Sequence, residues 1–190
     1  MTFLSGYYLL LTYLVASVPT GKAVATLFAD TDITLHGSGN IGATNVTRVL
    51  GWRYGAITLA GDLGKGLLLT AVASSVDPRP WYPPVVAVLC FVGHCWSAYL
   101  EFRGGKGVAT AAGALLALSP WAVLVTGAVW AAAYAAWRKA SAASLLGAAV
   151  LPLAVAWRDP WLTPLAVLLA VGVVLRHRDN IGRLLAGNEP

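Results

Sequence analysis

The chain has 190 residues, of which 58% are hydrophobic and only 11% are charged. Soluble globular domains carry about 25% charged residues, so this composition would leave a soluble fold with too little polar surface. The formal net charge of +5 does not indicate a nucleic-acid partner, because the basic residues lie between apolar segments and not on one face of a soluble domain. The composition therefore predicts an integral membrane protein.

The N-terminal segment, residues 1–25, resembles a secretory signal peptide, because its apolar stretch precedes Ala23-Val24-Ala25, a sequence similar to a cleavage site. No Lys or Arg precedes the apolar stretch, however, and the stretch is long enough to cross a bilayer. We therefore expect a retained first transmembrane helix.

Seven apolar segments follow one another along the chain, and they are continuously apolar, which favours helices over the alternating strands of a barrel. A helix needs about 20 residues to cross a hydrocarbon core of about 30 Å, so several segments are short, the fourth above all. They predict an all-α integral membrane fold, a single domain over residues 1–190 with a bundle of about seven transmembrane helices. The segments are 3–19 (to 28 in the longer definition), 54–76, 84–100, 108–118, 121–137, 142–157 and 161–175.

The basic residues orient this bundle. The turns on one side contain only Arg79 and Arg158, each near an Asp, and Lys65 lies within a span. With seven crossings the other basic residues fall on the opposite side, which the positive-inside rule assigns to the cytoplasm. The N-terminus is then outside and the C-terminus cytoplasmic. The basic segments are 20–53, 101–107, 138–141 and 176–190.

The two cysteines, Cys90 and Cys95, lie in or beside an apolar segment. They form no CxxC pair and no cysteine–histidine cluster with the spacing of metal ligands. We expect two buried packing thiols, and we predict neither a metal nor an organic cofactor.

The first polar segment, residues 37–48, is rich in glycine and hydrogen-bonding side chains. Gly37, Gly39 and Gly42 match the pattern GxGxxG, but a dinucleotide site also needs a strand and a βαβ unit, which cannot be built here. Glycines still let backbone N–H groups converge on an anion, and Arg48 can add a bidentate contact. The alternative is a flexible loop whose glycines only form turns.

The second polar segment has the sequence Gly-Gly-Lys-Gly at 104–107 and leads into an apolar helix. It is not a Walker A loop, because Leu100 occupies the position of the first glycine and Gly107 follows the lysine. Unpaired N–H groups, a helix dipole and the Lys106 ammonium group nevertheless favour phosphate binding. A positively charged loop with turn glycines is the alternative.

The third polar segment, residues 176–189, contains His177 and Asn180, which share a face if the last helix continues. A membrane-proximal histidine is often structural, but this one has an Asn and several Arg residues around it, so both roles stay open.

Three ionisable residues lie in or beside the spans. Asp62 and Lys65 are three residues apart, and since charges at membrane depth are costly, we expect an ion pair that supports the site rather than direct catalysis. His94, near a helix end, is either a supporting hydrogen-bond donor or a structural histidine.

The motifs resemble, in the same order, those of the acyl-phosphate:glycerol-3-phosphate acyltransferases, bacterial membrane enzymes of the PlsY type. The resemblance implies transfer of an acyl group from a long-chain acyl phosphate to the 1-hydroxyl of glycerol 3-phosphate at the cytoplasmic side of the bacterial inner membrane, with membrane lipid as the surroundings and no cofactor. Lysophosphatidic acid and inorganic phosphate would be the products, at the start of phospholipid synthesis. The matching sequences are GSGNIGATNVTR from Gly37, GDLGKG from Gly61, GH ahead of FRGGKGVAT from Phe102, and RHRDNIGRLLAGNE from Arg176.

Together with the residue chemistry, the resemblance implies three sets of site residues. The predicted catalytic residues are Ser38, Arg48, His177 and Asn180. The predicted phosphate-binding residues are Gly37, Gly39, Asn40, Thr44, Asn45, Gly104, Gly105, Lys106 and Gly107. The predicted supporting residues are Asp62, Lys65, His94 and Glu189. This chain departs from the usual family residues at Thr34, Ser97, Glu101 and Arg103, which often are Arg, Pro, Gly and Lys.

An acyl phosphate is a mixed anhydride with a good leaving group, so the enzyme mainly has to hold two anions together and offset developing negative charge. No His is followed five residues later by Asp, the motif of thioester-dependent glycerolipid acyltransferases, and no nucleophile elbow is present. We expect direct attack by the glycerol hydroxyl without an acyl-enzyme. The base is either an oxygen of the acyl phosphate or His177.

A small membrane transporter of an anionic solute is the main alternative function. A transporter needs polar residues near the midplane, usually in repeated halves, whereas here polarity lies on one side and only Asp62 and Lys65 interrupt the spans. A membrane-anchored binding protein would leave the glycine-rich loops without a purpose.

Overall fold

The computed structural model describes residues 3–189, and over that range it contains helices and turns but no strand, which confirms the all-α prediction. The chain divides into two compact units, the first ending at Ala117 and the second beginning at Leu118. Short 3-10 helices lie at Ile33–Leu35, Ala98–Leu100 and Pro160–Leu162. The α-helices, numbered α1 to α10 in order, are Phe3–Ser17, Thr20–Ala29, Ala43–Leu50, Trp52–Val76, Tyr82–Cys95, Val108–Leu118, Pro120–Trp137, Ala140–Arg158, Thr163–Arg176 and Arg178–Leu185.

All seven apolar segments are helical, and local sequence explains where several of them begin. Prolines occupy the first turn of α5, α7 and α9. In the first turn, the N–H group that proline lacks would have had no acceptor within the helix. Helix α7 ends at Trp137 and is followed by Arg138, which adopts a left-handed conformation with φ of 53°. The turn between α7 and α8 is therefore tight.

Four helices are long and apolar enough to cross a membrane by themselves, and up to six spans result if two bent pairs each count as one. The pairs are α1 with α2, bent by 45°, and α9 with α10, bent by 59°, whereas α6 is short, as expected. The chain is thus a multi-pass membrane protein. The structure allows four to six spans, so the predicted number of about seven stays a prediction. The orientation of the termini also stays a prediction. The four single spans are Trp52–Val76, Tyr82–Leu100, Pro120–Trp137 and Ala140–Arg158.

In the first unit, α4 and α5 form the centre, and α1 packs against both. Tyr82 donates a hydrogen bond to the carbonyl of Ser5 (2.7 Å) at the end of a core that includes Cys90. Both cysteines are buried and neither is in a disulfide, which agrees with the predicted packing role. Helix α6 lies so close to α4 that a Cβ on Gly66 would overlap the carbonyl of Thr110, the kind of approach that small residues permit between membrane helices.

In the second unit, α8 packs against α7 on one side and α9 on the other. Trp130 of α7 donates from Nε1 to the hydroxyl of Ser144 (3.1 Å), and Ser119 is hydrogen-bonded to Asp159 at the far end. These contacts fix both ends of the α7–α8 hairpin, and α9 then carries the chain to the third polar segment.

Candidate active site

The first polar segment is a tight loop that precedes α3. Gly37 and Gly39 adopt left-handed conformations, with φ of +61° and +68°, which glycine alone adopts without strain. The N–H of Gly39 donates to the carbonyl of His36 (3.0 Å). The predicted turn role of these glycines therefore has a structural basis.

Asn45 lies beneath this loop and is only 2% exposed. Its amide oxygen accepts from the N–H of Ser38 (2.9 Å), while its amide nitrogen donates to the carbonyls of His36 (3.0 Å) and Asn40 (2.9 Å). Both amide hydrogens are thus used within the loop. The side chain therefore holds the loop in shape, and phosphate binding by Asn45 stays a prediction.

The polar groups that face outward are on the loop and on α3. Ser38, Thr44 and Arg48 are exposed, and Thr44 and Arg48 share a helix face at i, i+4. Asn40 accepts the N–H of Gly42 through its amide oxygen (2.9 Å), which leaves its amide nitrogen as the group able to donate. Hydroxyl and amide donors thus lie around the start of α3, and the Arg48 guanidinium projects from its last turn.

Asp32 anchors the chain just before the loop. It pairs with Lys22 (3.0 Å) and accepts from both the hydroxyl (2.7 Å) and the N–H (3.0 Å) of Thr34. The side-chain hydrogen bond from Thr34, followed by that from Lys22, lowers the pKa of Asp32 to about 2. Asp32 therefore caps the short 3-10 helix, and Thr34, one of the positions that departs from the usual family residue, donates to it.

The second polar segment folds back onto the end of α5. The N–H groups of Gly104 and Gly105 donate to the carbonyls of Cys95 (3.1 Å) and His94 (3.0 Å). These two N–H groups thus pair with the last carbonyls of α5, and the role of Gly104 and Gly105 in phosphate binding stays a prediction. Glycine is needed here for another reason: a Cβ on Gly104 would overlap the carbonyl of His94, and a Cβ on Gly105 would overlap the His94 ring.

The groups suited to an anion in this segment follow the two glycines. Gly107 has φ of +77°, and its carbonyl accepts from Ala111 (2.8 Å), so it begins α6. The first N–H groups of α6 have no acceptor within the helix, and half-buried Lys106 precedes them. A helix N-terminus and an ammonium group remain a suitable phosphate site.

In the third polar segment, α9 ends at Arg176 and α10 begins at Arg178, so the helix breaks at His177. The N–H of His177 is shared between the carbonyls of Val173 (3.1 Å) and Val174 (3.0 Å), and its Nδ1 lies 2.8 Å from the carbonyl of Val173. A carbonyl only accepts, so Nδ1 carries the hydrogen and Nε2 of the neutral ring carries the lone pair. His177 is 2% exposed.

Asn180 and Glu189 form a small network in the same unit. Asn180 donates to Glu189 Oε1 (2.6 Å), and Arg183 donates to Glu189 Oε2 (2.7 Å). Burial alone would raise the pKa of Glu189, but the hydrogen bonds from Asn180 and Arg183, together with the nearby Ser141 hydroxyl, outweigh it and hold the pKa below its ordinary value. Glu189 thus accepts hydrogen bonds from both Asn180 and Arg183. Buried Ser141 was not predicted, because a lone serine at the start of an apolar helix gives no signal.

The expected ion pair inside the membrane helices is present. Lys65 Nζ lies 2.9 Å from Asp62 Oδ1, and His94 Nδ1 lies 3.4 Å from the same oxygen. Over residues 3–189, no three His, Cys, Asp or Glu side chains are grouped as a metal site would require.

Comparisons with known proteins cover nearly the whole chain. Residues 7–187 match the family described as glycerol-3-phosphate acyltransferase. A protein of that name from Trichlorobacter lovleyi is 44% identical over 179 residues, which are 93% of this chain and 92% of the relative. Another, from Pseudomonas paraeruginosa, is 43% identical over 182 residues, or 95% of each chain.

The chain is also similar to a solved structure, the crystal structure of PlsY (YgiH), described as an integral membrane glycerol 3-phosphate acyltransferase. In its glycerol 3-phosphate form the TM-score is 0.92 and the identity 32%, over 98% of this chain and 94% of that one. The lysophosphatidic acid form matches with a TM-score of 0.90.

Proposed function

Because the chain belongs to the glycerol-3-phosphate acyltransferase family, we propose that it transfers a fatty acyl group from a long-chain acyl phosphate to the 1-hydroxyl of glycerol 3-phosphate. The products are 1-acyl-glycerol 3-phosphate and inorganic phosphate, which makes this the first acylation of phospholipid synthesis. One observation carries the proposal: the chain aligns over 98% of its length, at 32% identity, with an acyltransferase solved in its glycerol 3-phosphate form.

The first polar segment is the proposed site for the acceptor. Arg48 is exposed, and its guanidinium group suits bidentate contact with the phosphate of glycerol 3-phosphate. Ser38 and Thr44, both exposed, add hydroxyl donors. The rigid hydrogen bonding of Asn45 beneath the loop supports this role, because it fixes the backbone from which Ser38 projects.

The second polar segment is the proposed site for the phosphate of the donor. The charge of Lys106 and the N-terminal N–H groups of α6 stabilise the negative charge that accumulates as phosphate leaves. No water-activating metal is required, because the anhydride bond of an acyl phosphate already has a good leaving group.

The proposed reaction is a single displacement through a tetrahedral centre. The 1-hydroxyl oxygen of glycerol 3-phosphate forms a bond to the acyl carbon, and the bond from that carbon to the phosphate oxygen breaks. The hydroxyl proton passes to an oxygen of the departing phosphate, while Ser38, His177 and Asn180 orient the reacting groups. The absence of a nucleophile elbow in the sequence supports transfer without an acyl-enzyme.

The proposed location is the bacterial inner membrane, with the reacting head groups on its cytoplasmic side. The distribution of Lys and Arg in the sequence supports this orientation. The acyl chain of the donor is apolar and reaches the protein from the lipid.

The test is product analysis with purified protein in detergent. We expect lysophosphatidic acid and inorganic phosphate in equal amounts from palmitoyl phosphate and glycerol 3-phosphate, and no product when palmitoyl-CoA replaces the acyl phosphate. Glycerol, which lacks the phosphate, serves as the acceptor control. Activity with palmitoyl-CoA alone would contradict the proposed donor, and binding of glycerol 3-phosphate without any acyl transfer would favour a transporter.

A further inference from the structure

A buried polar cluster in the first unit lies below both of its polar loops. It consists of Asp62 and Lys65 on α4 and His94 on α5, whose side chains are 2%, 7% and 4% exposed. Ionisable groups at membrane depth are costly and are retained where they have partners and a use. Nothing in the proposed chemistry requires these three groups to touch a substrate.

One oxygen joins the three side chains. Asp62 Oδ1 lies 2.9 Å from Lys65 Nζ and 3.4 Å from His94 Nδ1. Because α4 and α5 contribute to the same contact, the carboxylate links the two central helices of the unit. A change at Asp62 therefore affects the other two side chains together.

The His94 end of the cluster contacts the second polar segment. The His94 ring lies so close to Gly105 that a Cβ at Gly105 would overlap its Nε2 atom. The carbonyl of His94 also accepts from the N–H of Gly105 (3.0 Å). The ring is thus held between Asp62 and the backbone that immediately precedes Lys106.

The Lys65 end contacts the break between α1 and α2. Lys65 Nζ donates to the carbonyl of Val18 (3.0 Å), which lies between α1 and α2 and also accepts from the N–H of Thr20 (3.0 Å). Helix α2 begins at Thr20, and its Gly21 is so close to the carbonyl of Ile41 that a Cβ would overlap it. Ile41 belongs to the loop that carries Ser38.

We propose that Asp62, Lys65 and His94 form one positioning network that holds the Ser38 loop and the Lys106 loop in fixed relation to each other. One end fixes the α1–α2 bend on which the first loop rests, and the other end fixes the backbone before Lys106. The three residues are positioning residues, and their effect on catalysis rests on the proposed function of the two loops. The network thereby sets the separation between acceptor and donor.

Kinetics distinguish this role from simple stabilisation. Asp62→Asn releases both ends of the network, so we expect the KM values for glycerol 3-phosphate and for acyl phosphate both to rise by about tenfold. His94→Gln keeps the Asp62–Lys65 ion pair but removes the ring from Gly105. We therefore expect a similar rise in KM for acyl phosphate and no change in KM for glycerol 3-phosphate. His94→Gln also keeps the test decisive if Asp62→Asn does not fold.

The matched control is Asp77→Asn at the other end of the same helix. Asp77 is also buried (4% exposed) and pairs with Arg79, but it contacts neither loop. We expect Asp77→Asn to lower the melting temperature and leave both KM values unchanged. A rise in KM that simply follows the loss of stability in all three variants would overturn the proposal.

A second measurement does not depend on activity. Amide hydrogen exchange should become faster in residues 18–22 and 103–107 of Asp62→Asn, and only in residues 103–107 of His94→Gln, with neither change in Asp77→Asn. Unchanged exchange in both segments of Asp62→Asn overturns the network even if the enzyme is active. An inactive wild-type protein that shows the expected exchange contradicts the proposed function and not the network.

Discussion

Polar side chains of the candidate site divide into those that hold the backbone and those that face a ligand. Asn45 and Glu189 are buried and use their polar atoms on neighbouring protein groups. Ser38 and Arg48 lie in the same motif as Asn45, but their side chains are exposed. Substitutions in the first group should therefore affect stability first, and substitutions in the second group should affect kinetics first.

The role of Arg48 is tested by Arg48→Lys, which keeps the charge and removes the planar pair of donors. We expect KM for glycerol 3-phosphate to rise by about tenfold while the melting temperature stays the same, because a lysine cannot make the bidentate contact. Arg53→Lys is the matched control, since Arg53 is exposed and contacts only the ring of Trp52 (5.8 Å to the centroid). Equal effects of the two substitutions would contradict the assignment.

The identity of the base is tested by His177→Gln. If an oxygen of the acyl phosphate takes the proton, kcat falls by less than about tenfold, because the histidine only orients the groups. A general base would contribute about 10²–10⁴-fold. Steady-state kcat over a range of pH decides between them, and a loss of the larger size with a lost pH dependence would make His177 the base.

The contribution of Glu189 to stability should depend on pH. Its pKa is below the ordinary value of 4.5 in the folded protein, so its stabilising effect is present above 4.5 and is lost as the pH falls through the lower, folded-state pKa. We expect Glu189→Gln to lower the melting temperature at neutral pH, and the difference from wild type to shrink well below pH 4.5. A difference that stays constant over that range would show that the carboxylate charge contributes nothing.

At the scale of elements, the second polar segment behaves as the end of one helix and the start of another. Gly104 and Gly105 close α5 by donating to its last carbonyls, and Gly107 opens α6 with a left-handed backbone. The loop is therefore rigid, and Lys106 occupies a fixed place within it. This geometry does not provide a mobile loop that could close over a bound phosphate.

This geometry predicts a large effect of Gly107→Ala. The substitution places a Cβ against the Phe91 ring in a conformation with positive φ, so we expect a loss of about 1–3 kcal/mol in the free energy of unfolding. Gly127→Ala in α7 is the control, because nothing lies within 4 Å of the added atom and alanine favours the helix. Thermal melting of the two variants checks the contrast, which fails if Gly127→Ala is the more harmful.

The sequence predicts the helical elements well because continuous apolar segments leave few alternatives in a membrane. It also identifies the Asp62–Lys65 pair, since isolated charges at membrane depth need partners. It does not reveal which donors are already used. Asn45, Gly104 and Gly105 lie in motifs rich in N–H groups, but their hydrogens go to backbone carbonyls that only the folded chain brings near.

The sequence does not predict the break at His177 or the position of Ser141 near Glu189, and the reason is the same for both. No proline or glycine marks the end of α9, so spacing alone suggests a continuous helix. Ser141 lies near Glu189 in the folded second unit, although the two residues are 48 positions apart in sequence (189 − 141). Long-range pairing of this kind is absent from a local motif.

Many large apolar side chains lie on the surface of the molecule. Trp157 is 84% exposed and Leu153 is 72% exposed, and only 11% of the most apolar window of α7 is buried. Such surfaces are stable against lipid and would aggregate in water. Among residues 3–189, the polar loops are the regions best suited to charged, water-soluble substrates.

The central claim is that the protein transfers an acyl group from acyl phosphate to glycerol 3-phosphate at the cytoplasmic face. Its most direct test is product formation in sealed membrane vesicles of known orientation, because glycerol 3-phosphate is anionic and does not cross a bilayer unaided. With palmitoyl phosphate in the membrane and glycerol 3-phosphate outside, we expect lysophosphatidic acid from inside-out vesicles, and from right-side-out vesicles only after permeabilisation. Product from intact right-side-out vesicles, or no product from either kind after permeabilisation, would contradict the account.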